Sequence, residues 1–273
     1  MNVEILEKSD NYVEFIMDGV TVEFANALRR LLLSEIPVMA IDEVIFLENS
    51  SPLFDEIIAH RLGLVPLKTD LKRYNLPKEC SCGGVGCTLC QVELNCEITA
   101  ENEDKVIYTG NLESNDPYVV PVSEKIPIVK LGKGKSVVLE AYARLGIGKQ
   151  HAKWQAVATT AYRYYPDWSF DETKWDETNN EISPEKVCPP KVLYREGDKI
   201  FMVDDGWRKC NLCMACQKAD KSGAVNVKKN PTKFIFFVEG TGALPVQEVL
   251  SKAIEIFQKA LTEFDSQLAE LVV

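Results

Sequence analysis

Residues 21–68, TVEFANALRRLLLSEIPVMAIDEVIFLENSSPLFDEIIAHRLGLVPLK, decide how this chain is organised. The first half has the apolar spacing of an amphipathic helix. Phe24, Leu28, Leu31, Leu32 and Glu35 fall at helical intervals, and Ala25, Ala27 and Ile36 widen the stripe. Thr21 has the chemistry of an N-cap, and Pro37 disfavours helical angles at Ile36, so the helix is expected to end there. A strand follows over 38–47, with mixed rather than strict alternation. A second helix is expected with Ser51 as N-cap and Pro52 at its first position. Leu53, Phe54, Ile57, Ile58 and Leu62 form its stripe, and Gly63 is read as a left-handed stop. Both helices carry more apolar surface than one small sheet covers. They are either ordinary core or a face meant for a second chain.

Around this stretch the chain reads as mixed helix and strand. Residues 1–20 have the pattern of a hairpin turning at Ser9-Asp10-Asn11. Val92, Leu94, Cys96 and Ile98 alternate with Glu93, Asn95 and Glu97, a half-buried strand in which Cys96 shares the apolar side and reads as a small core residue. Short β-like runs are expected at 106–108, 118–122 and 136–143, then a connector with Gly146, Gly148, His151 and Trp154, then a strand over 156–164. Composition shifts at Pro166. Residues 167–186 are acidic and polar with Trp168 and Trp175 interspersed, and read as a linker into a module that contains a small hairpin around Glu196-Gly197-Asp198. A strand over 233–238 precedes a long terminal helix. There Val249, Leu250, Ala253, Ile254, Phe257, Ala260, Leu261, Phe264, Leu268 and Leu271 make a broad apolar face, with 250, 257, 264 and 271 at heptad interval. A broad stripe of this kind points to packing against another chain, with a core-facing helix as the alternative.

Composition narrows the function. A chain of 273 residues can bury about 70% or more of its unfolded surface without covalent staples. The net charge is −10 and the sequence pI about 4.9, which argues against a direct grip on nucleic acid, since neutralising phosphates takes a surplus of Lys and Arg. No signal-peptide pattern opens the chain and no apolar run approaches a membrane span, so a cytoplasmic location with no membrane contact is expected. In that compartment stable disulfides are rare, and eight of the nine cysteines cluster, which points to metal.

Cys210-x-x-Cys213-x-x-Cys216 places three thiolates at the gaps ferredoxins use for one cubane. No fourth cysteine follows, but Cys188 upstream is followed by Pro189-Pro190, a Cys-Pro that can complete the set. Cys188, Cys210, Cys213 and Cys216 are therefore read as one [4Fe–4S] site, with a [3Fe–4S] cluster or a zinc knuckle as alternatives. Cys80, Cys82, Cys87 and Cys90 lie close together with Gly83, Gly84 and Gly86 between them. This favours a closed tetrahedral zinc site of structural duty, with a second cluster as the alternative. His60 and His151, the two histidines, have no companion nucleophile in the sequence, and no catalytic residues are expected.

The runs NALRRLLLSEIPVMAIDEV (26–44) and LFDEIIAHRLGLVPL (53–67) resemble the core of the D subunit of archaeal RNA polymerase, related to the third-largest subunit of eukaryotic RNA polymerase II and more distantly to the bacterial alpha subunit. The Gly146 connector, the cysteine module and FFVEGTGALP (236–245) extend the resemblance over nearly the whole chain. It implies an α+β fold with a discontinuous dimerisation domain (1–48, 155–167 and 225–273), an inserted β-rich domain (49–154, carrying the cysteine loop at 80–90) and an inserted ferredoxin-like iron–sulfur domain (168–224). Eukaryotic relatives carry a comparable zinc loop, the middle gap here being one residue longer. The resemblance further implies a non-catalytic assembly platform for transcription, which heterodimerises with small subunit L through Phe24, Leu28, Leu31, Leu32, Phe257, Leu261 and Phe264. Small subunits N and P join the pair, and the large B subunit meets residues 55–67. The competing class is a ferredoxin-like electron-transfer subunit of a redox complex. A free-standing nucleic-acid-binding module is a third, opposed by the charge.

Overall fold

The computed structural model describes residues 1–176 and 183–271, and for Leu271 the backbone alone. In chain order the strands and helices are β1 (Asn2–Lys8), β2 (Tyr12–Asp18), α1 (Val22–Ser34), β3 (Pro37–Asn49), α2 (Asp55–Gly63), β4 (Gln91–Ala100), β5 (Lys105–Tyr108), β6 (Glu113–Ser114), β7 (Pro127–Leu131), β8 (Lys135–Ile147), β9 (Val157–Phe170), β10 (Leu193–Glu196), β11 (Lys199–Met202), α3 (Gly206–Lys209), α4 (Ala215–Ala219), β12 (Val225–Gly240) and α5 (Val246–Leu271). The strands assemble into sheets of order β1-β2-β12-β9 and β3-β8-β4-β6 and the ladders β5-β7 and β10-β11. This is a mixed α/β chain with several antiparallel sheets.

The chain divides into two compact units. One comprises Met1–Leu6, Glu14–Asn26 and Ala161–Phe237; the other Glu7–Val13, Ala27–Thr160 and Val238–Val273. The second is built on β3-β8-β4, where β8 pairs with β3 along one edge and β4 along the other. Val92, Leu94, Cys96, Ile98 and Ala100 of β4 face its core, the alternation read from the sequence, and Cys96 is a core residue there. The irregular alternation in β3 has a cause. Register shifts between Ile41 and Glu43 and between Phe46 and Glu48 insert extra residues, and each reverses the facing of those that follow. In the first unit Phe15 stacks on Phe236 at 5.4 Å between ring centroids. A separate apolar cluster there gathers Cys188, Val192, Leu193, Ile200, Val225 and Val227.

Helix α1 begins as its sequence implies: the Phe24 N–H donates to Thr21 Oγ1 at 3.4 Å. Helix α2 does not. It starts at Asp55, with Phe54 at the cap position and no side-chain cap. Asn49 holds the preceding residues in a turn. Its Nδ2 donates to Leu53 O (2.9 Å) and Asp55 Oδ1 (2.6 Å), its Oδ1 accepts from Ser51 N–H, and Ser51 Oγ accepts from Leu53 N–H. Ser51 therefore caps a turn rather than a helix. Nor is Gly63 a left-handed stop. It lies inside the helix without a positive φ and is buried beside the Ile41 carbonyl, and Leu64, in the right-handed region, closes the helix.

Two further expectations fail for reasons of proline chemistry. Residues 118–122 form no strand, only an isolated bridge of Pro121 to Leu67, because Pro117 and Pro121 offer no N–H to a ladder. The linker expected from Pro166 does not start there. Strand β9 runs through Pro166 to Phe170, which its place at the sheet edge permits, since an edge strand leaves one row of N–H groups unused. Trp168 and Trp175, read as linker residues, pack on the cysteine-side apolar cluster. Residues 177–182 of that acidic stretch lie outside those described.

A Cβ added at Gly148 would overlap the carbonyl oxygen of Leu33 in α1, a backbone atom that cannot swing aside. Gly148→Ala is expected to destabilise the chain by about 1–3 kcal/mol, read as a lower urea midpoint. An unchanged midpoint would show that α1 is not held against this turn.

Candidate metal centres and interaction face

Cys80, Cys82, Cys87 and Cys90 come together as their spacing implies. Their sulfurs all lie within 4.8 Å of one another, with Cys80–Cys87 at 3.6 Å, Cys82–Cys90 at 3.5 Å and Cys87–Cys90 at 3.8 Å. Four thiolates at about 2.3 Å from one central ion stand about 3.8 Å apart at the corners of a tetrahedron. The donor set matches a single-ion cage and can bind a metal. Two tight turns build it: Gly83 N–H donates to Cys80 O, and Cys90 N–H donates to Cys87 O, both at 2.9 Å. Gly84 and Gly86 take φ values of +84° and +114°. The hydrogen bond from Gly86 N–H, with Gly84 N–H assisting, draws the Cys82 thiol down to about 6. Burial pushes Cys90 up to about 12. A side chain at Gly86 would also collide with the Gln91 amide, itself held by Arg144 Nε and Nη2 at 3.1 and 2.9 Å. Gln91 N–H also donates to Cys87 O at 2.9 Å, which ties the loop to the start of β4.

The second cysteine set is arranged differently. Cys188, Cys210, Cys213 and Cys216 line one small cavity of about 20 Å³ together with Trp168, Pro190, Met202 and Val227. Among the described residues only the Cys80 group has ligand atoms mutually within 4.8 Å, so these four sulfurs stand further apart than a one-ion cage requires. They still feel one another: burial pushes Cys216 up to about 11, and Cys188, Cys210 and Cys213 add to the rise. The backbone is wound tightly around them. Among the described residues every non-glycine with positive φ falls here: Lys191 (52°), Asp205 (57°), Leu212 (55°) and Met214 (60°). Such angles cost energy in β-carbon-bearing residues and persist where surrounding structure demands them. Two backbone N–H groups, of Leu212 and Gln217, serve Cys210 and Cys216 respectively. The buried Trp168 indole N–H has no acceptor among the described residues. Trp168 carried no metal signal in the sequence, because nothing in its spacing relates it to the cysteines.

The residues expected at a partner face divide by burial. Leu28 and Leu32 are buried within this chain, 3% and 0% exposed, while Phe24, Leu31 and Phe257 are half-buried. Leu261 and Phe264 are 54% and 60% exposed. Helix α5 is anchored by Val246, Val249 and Ala253 in its first turns; beyond them Ile254, Leu261, Phe264 and Leu268 are open to solvent. The Leu271 side chain, the last heptad position, lies outside those described. His151, set aside as a base, accepts a hydrogen bond from Lys153 N–H at 3.0 Å and caps a short turn. Among the described residues no helix is long and apolar enough to cross a membrane.

The described residues thus present two cysteine groups and a long helix, α5, with its apolar side open. The family model of the RNA polymerase Rpb3/Rpb11 dimerisation domain matches residues 14–261, and the chain belongs to that family. It is 40% identical to a "DNA-directed RNA polymerase subunit Rpo3" of Methanosphaera stadtmanae, over 95% of each chain. It is 38% identical to the Rpo3 of Archaeoglobus fulgidus, over 98% of each. With the "DNA-directed RNA polymerase II subunit rpb3" of Dictyostelium discoideum it shares 35% identity, over 98% of this chain and 95% of the relative. These relatives lend no support to the electron-transfer alternative.

Cys87→Ser is expected to remove one equivalent of metal per chain and lower the thermal midpoint, since three thiolates leave the cage open. Cys96→Ser, in the core, should leave metal content unchanged. Elemental analysis of both variants checks this; equal metal in Cys87→Ser and the parent chain would contradict the site.

Proposed function

We propose that this chain is a non-catalytic assembly platform of a DNA-dependent RNA polymerase, acting in the cytoplasm. The observation that carries the reading is the open apolar side of α5, with Leu261 and Phe264 more than half exposed, in a chain of the Rpb3/Rpb11 dimerisation family. Exposed side chains of this size in one row cost solubility unless a partner covers them, and obligate interfaces of about 2,000 Å² or more are apolar at their centre. The partner is the small subunit L. Phe24, Leu31 and Phe257, half-buried, flank the contact, while Leu28 and Leu32 hold α1 in place from within. Subunits N and P join the pair. The large B subunit docks on residues 55–67, a reading supported by the exposure of Ile57 and Leu64 there and of Phe54 just before them. No direct nucleic-acid grip and no turnover of its own are assigned to the chain.

The domain reading follows the same lines: dimerisation over 1–48, 155–167 and 225–273, a β-rich insert over 49–154, and an iron–sulfur insert over 168–224. The separate apolar cluster around Cys188 and Ile200 supports the last. Zinc suits Cys80, Cys82, Cys87 and Cys90, whose sulfurs have the separations of a ZnS₄ tetrahedron. Cys188, Cys210, Cys213 and Cys216 suit a [4Fe–4S] cluster, because thiolates bound to separate irons around a core must be spread around a cavity. The orphaned Trp168 N–H is a donor that cluster sulfur can accept. When bound, such a cluster supplies four cross-links to a loop that has little core of its own. Anaerobically purified protein should contain iron and acid-labile sulfide in equal amounts; zinc alone at both sites would contradict the assignment.

Leu261→Glu with Phe264→Glu tests the platform reading. Both positions are exposed, so the chain alone should change in stability by no more than about 0.5 kcal/mol. Co-expressed with subunit L, the double variant should lose the heterodimer in native mass measurements. Undiminished heterodimer would refute the assigned face.

A further inference from the structure

Glu14, in the middle of β2, is 6% exposed. Its Oε2 accepts from Arg208 Nε at 2.8 Å and from Arg208 Nη2, and Arg163 Nη2 stands 3.7 Å from its Oε1. Arg163 also donates to the carbonyl oxygen of Arg208. The three residues are far apart in sequence, on β2, β9 and α3.

Helix α3 has four residues, too few to persist alone. It is held on one side by Glu14 and by Trp207, which stacks on Tyr165 at 5.2 Å. On the other side it runs directly into the cysteine loop, where Cys210 N–H donates to Gly206 O at 2.9 Å. Arg163, through its hydrogen bond to Arg208 O, ties the C-terminal part of α3 to β9 just before Cys210. One buried carboxylate thus faces two guanidiniums. The left-handed turns at Leu212 and Met214 persist only while something holds the loop closed. If the loop relaxes, α3 is released and Glu14 loses both Arg208 hydrogen bonds, which Arg163 at 3.7 Å does not replace; breaking a buried ion pair in this way is strongly destabilising.

We infer that Glu14, Arg208 and Arg163 form the joint through which occupancy of the Cys188–Cys210–Cys213–Cys216 cavity is transmitted to strand β2. The inference rests on the iron–sulfur reading above. Linkage makes the coupling reciprocal: weakening the joint also loosens the loop's hold on its iron.

Amide hydrogen exchange over 12–18 in the full chain, kept anaerobic, tests this. Iron and sulfide are assayed in the same samples before and after removal with a ferrous chelator. In the parent protein, iron removal should speed exchange in β2 by about tenfold or more, with β4 as an unaffected reference. In Glu14→Gln, exchange should already be fast with iron bound, respond less than about twofold to its removal, and iron should leave several-fold faster. Arg208→Lys, which keeps the charge but loses the fork, should behave alike and carries the test should Glu14→Gln not fold. A parent β2 indifferent to iron removal overturns the inference, as do variants that respond and release iron like the parent. Absence of iron and sulfide from every sample overturns the cluster reading, and this inference with it.

Discussion

A long helix that is anchored at one end and apolar on its free end sets the terms for this chain. Val246, Val249 and Ala253 fix the start of α5; Ile254, Leu261, Phe264 and Leu268 then emerge uncovered. Burying a fully exposed side chain of this kind is worth about 1.5–3 kcal/mol; these four are about half exposed, so covering what is open offers about 3–6 kcal/mol together. Association itself costs about 4–15 kcal/mol in lost freedom. The open side of α5 is therefore the centre of an interface and not the whole of one. In the proposed platform the half-buried Phe24, Leu31 and Phe257 supply the margin. The net charge of −10 disfavours a grip on phosphates, in keeping with such a role.

The two cysteine centres show how spacing in sequence becomes spacing in space. In the 80–90 loop, glycines at left-handed angles let two turns close on each other, and the sulfurs meet at separations that one small ion would fit. In the 188–216 set, residues with side chains occupy left-handed angles instead, and the sulfurs ring a cavity. The first loop is tied to the start of β4 by Gln91 N–H, which donates to Cys87 O, so a metal there would secure a loop on a core that already exists. The second stands on a small cluster of its own and on the Glu14 ion pairs.

Much of this was legible in the sequence wherever short-range chemistry decides the outcome. The Thr21 cap, the alternation that puts Cys96 in the core, the hairpin turning at Gly197-Asp198 and the convergence of Cys80, Cys82, Cys87 and Cys90 all depend on neighbours within a few residues. The misreadings have one origin. Ser51 has the right chemistry for a cap, but Asn49 competes for the same backbone and moves the helix start to Asp55. Pro166 looks like the end of a strand, and only its place on a sheet edge makes it tolerable. Leu28 and Leu32 have the same composition signal as Leu261, yet burial separates them, and burial is a property of the folded chain. The Glu14, Arg163 and Arg208 group was invisible because its members lie on three distant segments.

The central claim is that the outer half of α5 is covered by a second polypeptide. Hydrogen exchange over residues 254–270, in the isolated chain and in the assembled polymerase, addresses it directly. The account predicts fast exchange in the isolated chain, strong protection in the assembly, and little change over 91–100. Equal protection in both states would contradict it.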